Sequence, residues 1–394
     1  MAPVTSNILI IAGDADGNLG DRAILHSMVE QLRSLAPDIH ISCLSSTPET
    51  LTTGLRVTAI RRGMGGMLQL IGAALRADLV LCGGGGLFQD DDSLIKMPYW
   101  AARVLLVRAC CRRIIGYSLG VGPLSAMTSR LCARIAFRCM ERVSTRDPIA
   151  RNTATALTPR NVELLPDPAL ALAAAPRDEA MRLLEHHAIP LDGRPLVGVA
   201  VRRWFPPAPR LIPHSLASRI RPGSSSPLDS SERMCALLAR TLDRLVQQHE
   251  AHIVFLPTYN VAHEGDDQLC GMIQNRMERH SSSLLRIHDP RLYKAVSGEL
   301  AVLLGGRMHP TILAAGAGTP IVGLAYNPKF SGFFTLLGLD DHVMDVVDFV
   351  ESERHAELAD MVTDMMRKKP DFTPYMAAAR RSMDSFNREI LEAG

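Results

Sequence analysis

Residues 7–21 read Asn-Ile-Leu-Ile-Ile-Ala-Gly-Asp-Ala-Asp-Gly-Asn-Leu-Gly-Asp. The uncharged run Asn7–Ala12, closed by Gly13, is the pattern of a strand buried on both faces of a parallel sheet. A Gly/Asp loop follows, then helical periodicity from Asp21 to Leu35. The same unit recurs downstream. Ile39–Leu44 reads as a strand. A helix over 64–77 leads into a strand at Asp78–Cys82, a helix over 99–111 into Arg113–Tyr117, and a helix over 128–140 into Val143–Thr145. Asp147-Pro148 opens a further helix, with Asp suited to the cap and Pro to the first turn. This alternation predicts a doubly wound parallel sheet.

A second strand series starts at Leu196–Val201 and continues at 252–256, 284–287, 301–304 and 321–325. The Pro- and Ala-rich stretch 165–195 is read as containing the linker. Trp204–Ser231, with six prolines, reads as a long loop or lid inserted in the second half. Helices over 350–367 and 374–391 close the chain. The expected architecture is α/β, with two Rossmann-like domains facing a cleft. The first spans 1–170 and the second 190–370 with the insertion 204–231; a C-terminal helix occupies 371–394.

The 394 residues are 47% apolar and 21% charged, which excludes a disordered chain. A net charge of +2 argues against nucleic acid as the main partner. Only five of the 43 basic residues are lysines: Lys96, Lys294, Lys329, Lys368 and Lys369. The N-terminus has no basic segment ahead of an apolar core, and no run approaches the roughly 18 apolar residues of a membrane span. The eight cysteines form no CxxC pair and mostly sit in apolar runs. They read as reduced core thiols of a cytoplasmic protein.

Five segments carry candidate chemistry, each following a strand. The loop Gly13–Asp21 contains Asp14 and Asn18. It reads either as a contact for sugar hydroxyls or as a tight turn with Asp21 capping the next helix. Gly83–Gly86 followed by Gln89-Asp90-Asp91-Asp92 lies where open α/β sheets bind ligands. Gly84, Gly85 and Gly86 are expected to contact ligand, and the acidic run with Asp90 to bind hydroxyls, hold a metal or act as a base, the alternative being a solvated turn. Gly116–Pro123 reads as ligand loop or plain strand end. Arg146 precedes a helix start, a setting for carboxylate or phosphate; the alternative is an ion pair with a nearby Asp. Finally, Arg307 and His309 alternate along a segment read as extended, and Lys329 follows the next strand. Their convergence fits a ligand with two anionic groups. Arg130, Arg134, Arg138 and Arg142 recur every four residues, which suits either anionic lipid or a solvated face. Arg202, Arg203, Trp204, Phe205, Arg210, Arg219 and Arg221, in and beside the insertion, fit an acceptor cover, a membrane contact or a poorly ordered loop. The histidines lack HExxH or zinc-finger spacing, so no metal is expected.

In this order the segments GNLGDRAI (17–24), DLVLCGGGGLFQD (78–90), GYSLGVGPL (116–124), STRD (144–147), LPDPAL (165–170) and GGRMHPTILAAGAGTPIVGLAYNPKF (305–330) resemble the polysaccharide pyruvyl transferase family. That resemblance implies a GT-B-like fold. It also implies transfer of a pyruvyl group from phosphoenolpyruvate to a sugar, typically as a ketal, in bacterial cell-surface glycan synthesis. Arg146, His309 and Lys329 match positions implicated in donor binding there, and Arg307 falls in the same motif. Pro310 stands where many members carry a small or apolar residue, and the insertion departs from the compact family pattern.

On this reading Arg146, Arg307 and Lys329 hold the donor's carboxylate and phosphate. His309 acts as general acid, and Asp90 or Asp14 positions or deprotonates the acceptor hydroxyl. The donor is a substrate and no cofactor is needed. The acceptor is a nucleotide- or lipid-linked sugar, with peripheral contact at the inner face of the membrane in the lipid-linked case. The alternatives are a GT-B glycosyltransferase using a nucleotide sugar and a non-catalytic glycan-binding protein. The same reading segregates charge across the cleft, with acidic loops on the first domain and cations on the second.

Overall fold

In the computed structural model, residues 5–13, 18–91, 93–203, 228–259 and 265–393 are described. Asp14, Gly17 and residues 204–227 of the insertion lie outside them.

Seven strands build the first sheet: β1 (Asn7–Ile11), β2 (His40–Ser45), β3 (Thr58–Arg61), β4 (Leu79–Phe88), β5 (Ile114–Val121), β6 (Arg142–Thr145) and β7 (Val162–Leu164). Their order is 3-2-1-4-5-6-7, and every pairing is parallel. The second sheet holds β8 (Leu196–Ala200), β9 (His252–Phe255), β10 (Ser282–Leu284), β11 (Val302–Gly305), β12 (Ile321–Ala325) and β13 (Val343–Asp345). It repeats the arrangement in the order 10-9-8-11-12-13, again all parallel. In each sheet the strand order reverses beside the first strand, between β1 and β4 and between β8 and β11. The crevice beyond the carboxyl ends at such a point is where open α/β sheets bind ligands.

Strand periodicity explains why these runs are apolar throughout. Ile8 and Ile10 of β1 face one core, shared with the helix Leu19–Leu35, while Leu9 and Ile11 face another, shared with helices Met67–Arg76, Lys96–Cys110 and Met127–Arg138. Buried on both faces, such a strand has no polar position to alternate. The C-terminal helix Thr373–Glu392 returns to the first sheet rather than standing apart. Tyr117 donates its hydroxyl to Asn387 Oδ1 at 2.9 Å, and Arg113 donates to the Ile390 carbonyl at 3.0 Å.

Some expected elements change. The stretch 165–195, read as containing the linker, also carries a short 3-10 turn, Pro168–Ala171, and the helix Arg177–His186. Lys294, 2% exposed, ties the second domain to that turn by donating to the carbonyls of Leu170 and Leu172 at 2.8 Å each. The last residues assigned to the insertion open the helix Leu228–His249. The helix expected over 350–367 is two, Val346–Glu351 and His355–Lys368. Arg142 is not part of a helical stripe. It starts β6, where it pairs with Glu163 and Glu389. None of the eight cysteines is in a disulfide, and burial pushes Cys82 up to about 12. No helix among the described residues is long and apolar enough to cross a membrane.

Candidate active site

The carboxyl ends of the two sheets enclose a cleft of about 340 Å³. Its walls come from both domains. Asn18, Asp21, Arg62, Gln89, Lys96 and Arg146 line it from the first, and Arg202, Arg307, His309, Tyr326, Asn327 and Lys329 from the second. The two domains touch across it, where Asn18 and Tyr259 form an isolated antiparallel bridge.

Lys329 sits in the first turn of the helix Pro328–Leu336, whose cap is Asn327. It is 2% exposed, and its ammonium donates to the side-chain carbonyl of Gln89 on the opposite domain. That partner is a neutral amide. Burial, with Arg146 adding repulsion, brings its pKa down to about 7.

His309 is not in an extended segment. The helix Met308–Gly316 begins one residue before it, with Arg307 at the cap position. Pro310 therefore falls in the first turn, where a missing N–H costs no hydrogen bond. The imidazole packs against the backbone of Gly20, so closely that a Cβ there would overlap the ring. Burial, then the Arg146 and Arg307 charges, lowers its pKa to about 4 against an opposing pull from Asp167. The ligand-free imidazole is therefore neutral at pH 7.

Arg146 is buried and donates to Asp167 Oδ2 at 2.8 Å, while His309 Nε2 lies 3.8 Å from the same oxygen. Asp167 also accepts from the Ala169 N–H, so its carboxylate is fixed from two sides. The ion-pair alternative for Arg146 is thus real, but it does not remove the residue from the cleft. The pair orients the guanidinium, and its Nε has no hydrogen-bond partner among the described residues. Arg307 is anchored similarly. It pairs with Asp266, whose other oxygen accepts from the Thr258 and Tyr259 N–H groups, and its guanidinium lies 5.0 Å from the Tyr259 ring centroid.

Other expected site residues take structural parts. Asp90 is 1% exposed and turned from the cleft. Its oxygens accept from Ser125 N at 2.9 Å, Ser125 Oγ at 3.1 Å and Ala126 N at 2.9 Å, at the entry to the helix Met127–Arg138. Burial works against its charge, yet these hydrogen bonds hold its carboxyl below the usual range. A carboxylate so saturated is a poor base, and its neighbours Gln89 and Asp91 occupy the cleft wall instead. Asn18, not Asp21, caps the helix Leu19–Leu35, accepting from Gly20 N at 2.9 Å; it also lines the cleft. The glycines divide. Gly84 and Gly85 have positive φ of 77° and 87° within β4, and a side chain on Gly84 would collide with Ile24. They serve the bulge and close packing on the helix, whereas Gly86 reaches the cleft.

Sequence reasoning missed Arg62, Lys96, Gln89 and Asp167. Arg62 reaches back to donate to the carbonyls of Ala12 and Gly13 beyond β1. With Arg62, Lys96 and Arg146 on the first domain, cations line both walls, so the expected segregation of charge is not what the fold builds. Lys96 stood out as one of five lysines, and Gln89 and Asp167 lay inside segments already singled out; Arg62 carried no such signal.

A family model for polysaccharide pyruvyl transferases matches residues 18–328. The chain belongs to the polysaccharide pyruvyl transferase family. No curated protein sequence matches it. Solved structures of similar fold include a UDP-GlcNAc 2-epimerase from Methanocaldococcus jannaschii, with TM-score 0.58, 11% identity, and coverage of 92% of this chain and 93% of that one. Another is a Neisseria meningitidis UDP-GlcNAc 2-epimerase bound to UDP-GlcNAc (TM-score 0.55, 11% identity, 97% and 100% covered). A third is Anabaena HepE in complex with UDP and glucose (TM-score 0.52, 12% identity, 97% and 99% covered). At these identities the likeness shows the fold alone, a GT-B-like pair of Rossmann domains, as expected. The family match carries the transferase assignment.

Proposed function

We propose that this family member uses phosphoenolpyruvate as donor and joins its pyruvyl group to two hydroxyls of one sugar as a ketal. The observation that carries this reading is the convergence of Arg146, Arg307 and Lys329 around one buried histidine in a cleft lined by cations from both domains. The donor's carboxylate and phosphate supply the negative charge such a site is built to take. Arg146 and Arg307, held by Asp167 and Asp266, offer fixed forks to those groups. Lys329 becomes fully charged when the donor's anions enter.

The C3 methylene of the donor takes one proton and becomes a methyl, leaving C2 electron-poor. One hydroxyl oxygen bonds to C2, the bond from C2 to the phosphate oxygen breaks, and the second hydroxyl closes the ring. Of the two hydroxyl protons displaced, one balances that placed on C3 and the other leaves with phosphate. His309 is the proton carrier for C3. Neutral in the empty cleft, it charges beside the bound dianion, so protonation is coupled to donor binding. The acceptor sugar lies toward Asn18 and Asp21, with its carrier outside the cleft. On this reading the chain acts in the synthesis of a bacterial cell-surface polysaccharide.

Phosphate release from phosphoenolpyruvate in the presence of a sugar acceptor tests the reading. His309→Ala should lose release while donor binding survives, and Lys329→Ala should chiefly weaken donor binding. Full turnover by His309→Ala removes that residue from the chemistry. Nucleoside diphosphate release from a nucleotide sugar, with phosphoenolpyruvate left intact, overturns the donor assignment.

A further inference from the structure

The two faces of the first sheet are covered differently. One carries helices Leu19–Leu35 and Thr373–Glu392. The other carries Met67–Arg76, Lys96–Cys110 and Met127–Arg138 side by side, and it is the outer surface of this second layer that is unusual. Of the ten exposed large apolar side chains among the described residues, eight lie between Met64 and Leu131, on these helices or at their ends. Leu68 is 84% exposed and Met127 76%, and Leu75, Tyr99, Leu105 and Leu131 are exposed with them. Single exposed apolar residues are ordinary, but a set spread over three adjacent helices is a surface with a use.

Charge says what covers it. The three helices contain no Asp or Glu at all. Interleaved with the apolar side chains are exposed Arg76, Arg108, Arg112, Arg130, Arg134 and Arg138, and among the described residues no salt bridge engages them. Arginines set among leucines, with no acid inside the three helices and only Asp78 and Glu141 at their ends, complement a surface that is anionic at its headgroups and apolar beneath them. A protein partner would need a matching acidic and apolar face; a bilayer with anionic lipid offers both over any area. The layer also runs to the cleft. Ile95 and Tyr99 are exposed on the helix whose Lys96 and Trp100 line the cleft wall, and Met64 follows two residues after Arg62.

We infer that this face docks on a bilayer rich in anionic phospholipid and holds the cleft mouth at the headgroup level. Resting on the pyruvyl-transfer reading, it follows that the acceptor sugar arrives on a lipid carrier anchored in that bilayer. The docking is an interfacial one, through side chains of a folded layer.

Flotation of the full chain with phosphatidylcholine vesicles, with and without roughly 30 mol% phosphatidylglycerol, tests it. The protein should float with the anionic vesicles and be released by high salt, because exposed charges are screened. A Leu68→Glu/Leu131→Glu variant should bind about tenfold or more weakly, and so should Arg130→Gln/Arg134→Gln/Arg138→Gln. Both variants should keep wild-type circular dichroism and wild-type phosphate release with a water-soluble acceptor. His309→Ala should float like wild type, so a failed catalytic reading leaves vesicle binding intact, and a failed docking reading leaves catalysis intact. Absence of flotation on anionic vesicles overturns the inference. So does a dimer, seen by light scattering, that Leu68→Glu/Leu131→Glu dissociates while vesicles fail to bind.

Discussion

Donor binding should take up protons, and the structure sets how many. Lys329 has a pKa of about 7 in the empty cleft. About one in ten Lys329 side chains is then neutral at pH 6, about half at pH 7 and about nine in ten at pH 8. A bound carboxylate and phosphate raise that pKa by roughly two units or more, so the bound lysine is charged throughout. Its share of proton uptake therefore grows from about 0.1 at pH 6 to about 0.9 at pH 8. His309, at about 4 when empty, adds close to one further proton at either pH if it charges beside the donor. The phosphate's own second ionisation, near 6, makes pH 8 the cleaner condition. Isothermal titration of phosphoenolpyruvate in buffers of different ionisation enthalpy reads the uptake directly. Between about one and two protons should be taken up at pH 8, and affinity should weaken by up to about tenfold per proton and pH unit above pH 7. Lys329→Arg, charged at every pH used, should lose the part that varies with pH. Tight binding with no proton uptake at pH 8 refutes the idea that burial keeps these groups neutral until the donor arrives.

Three further outcomes follow from the same geometry. Lys329→Met should stabilise the ligand-free fold by about 3–5 kcal/mol at pH 6, because the unfolded lysine binds a proton more readily than the folded one. The cost in wild type is present below pH 7 and fades between about 7 and 10.5, so the gain should shrink towards pH 10 in urea titrations. Gly20→Ala should displace the His309 ring and cut turnover at least tenfold with the melting temperature little changed; full activity would mean the ring is not held there. Asp90→Asn removes the charge from three accepted hydrogen bonds and should cost about 2–4 kcal/mol of stability. Turnover per folded molecule should stay at wild-type level, and a selective loss of turnover would return Asp90 to the chemistry.

How much of this was legible in the sequence depended on burial. β1, β4 and β8 sit mid-sheet and are covered on both faces, so they read as unbroken apolar runs. β3, β7 and β13 are edge strands of four, three and three residues with exposed positions, and they leave almost no signal in the chain. Within the site, Arg146, Arg307, His309 and Lys329 could be found because each follows a buried strand closely, where topology delivers side chains to the crevice. Asp90 shows the limit of that rule. It too follows a strand, but the loop at Ser125–Ala126, more than thirty residues on, needed its carboxylate, and no local pattern reports that. Arg62, Lys96 and Gln89 enter the cleft by side-chain reach. Asp167 sits in an Asp-Pro turn that looks like any helix cap until Arg146 is found beside it.

The most direct test of the central claim follows the pyruvyl group itself. The protein is incubated in D₂O with phosphoenolpyruvate and a panel of nucleotide- and lipid-linked sugars, and the acceptors are weighed by mass spectrometry. Pyruvyl transfer predicts one acceptor heavier by a pyruvate less a water, with one deuterium on the new methyl group, and no such product from His309→Ala. Acceptors of unchanged mass across the panel, or a sugar added at the expense of a nucleotide donor, would contradict it.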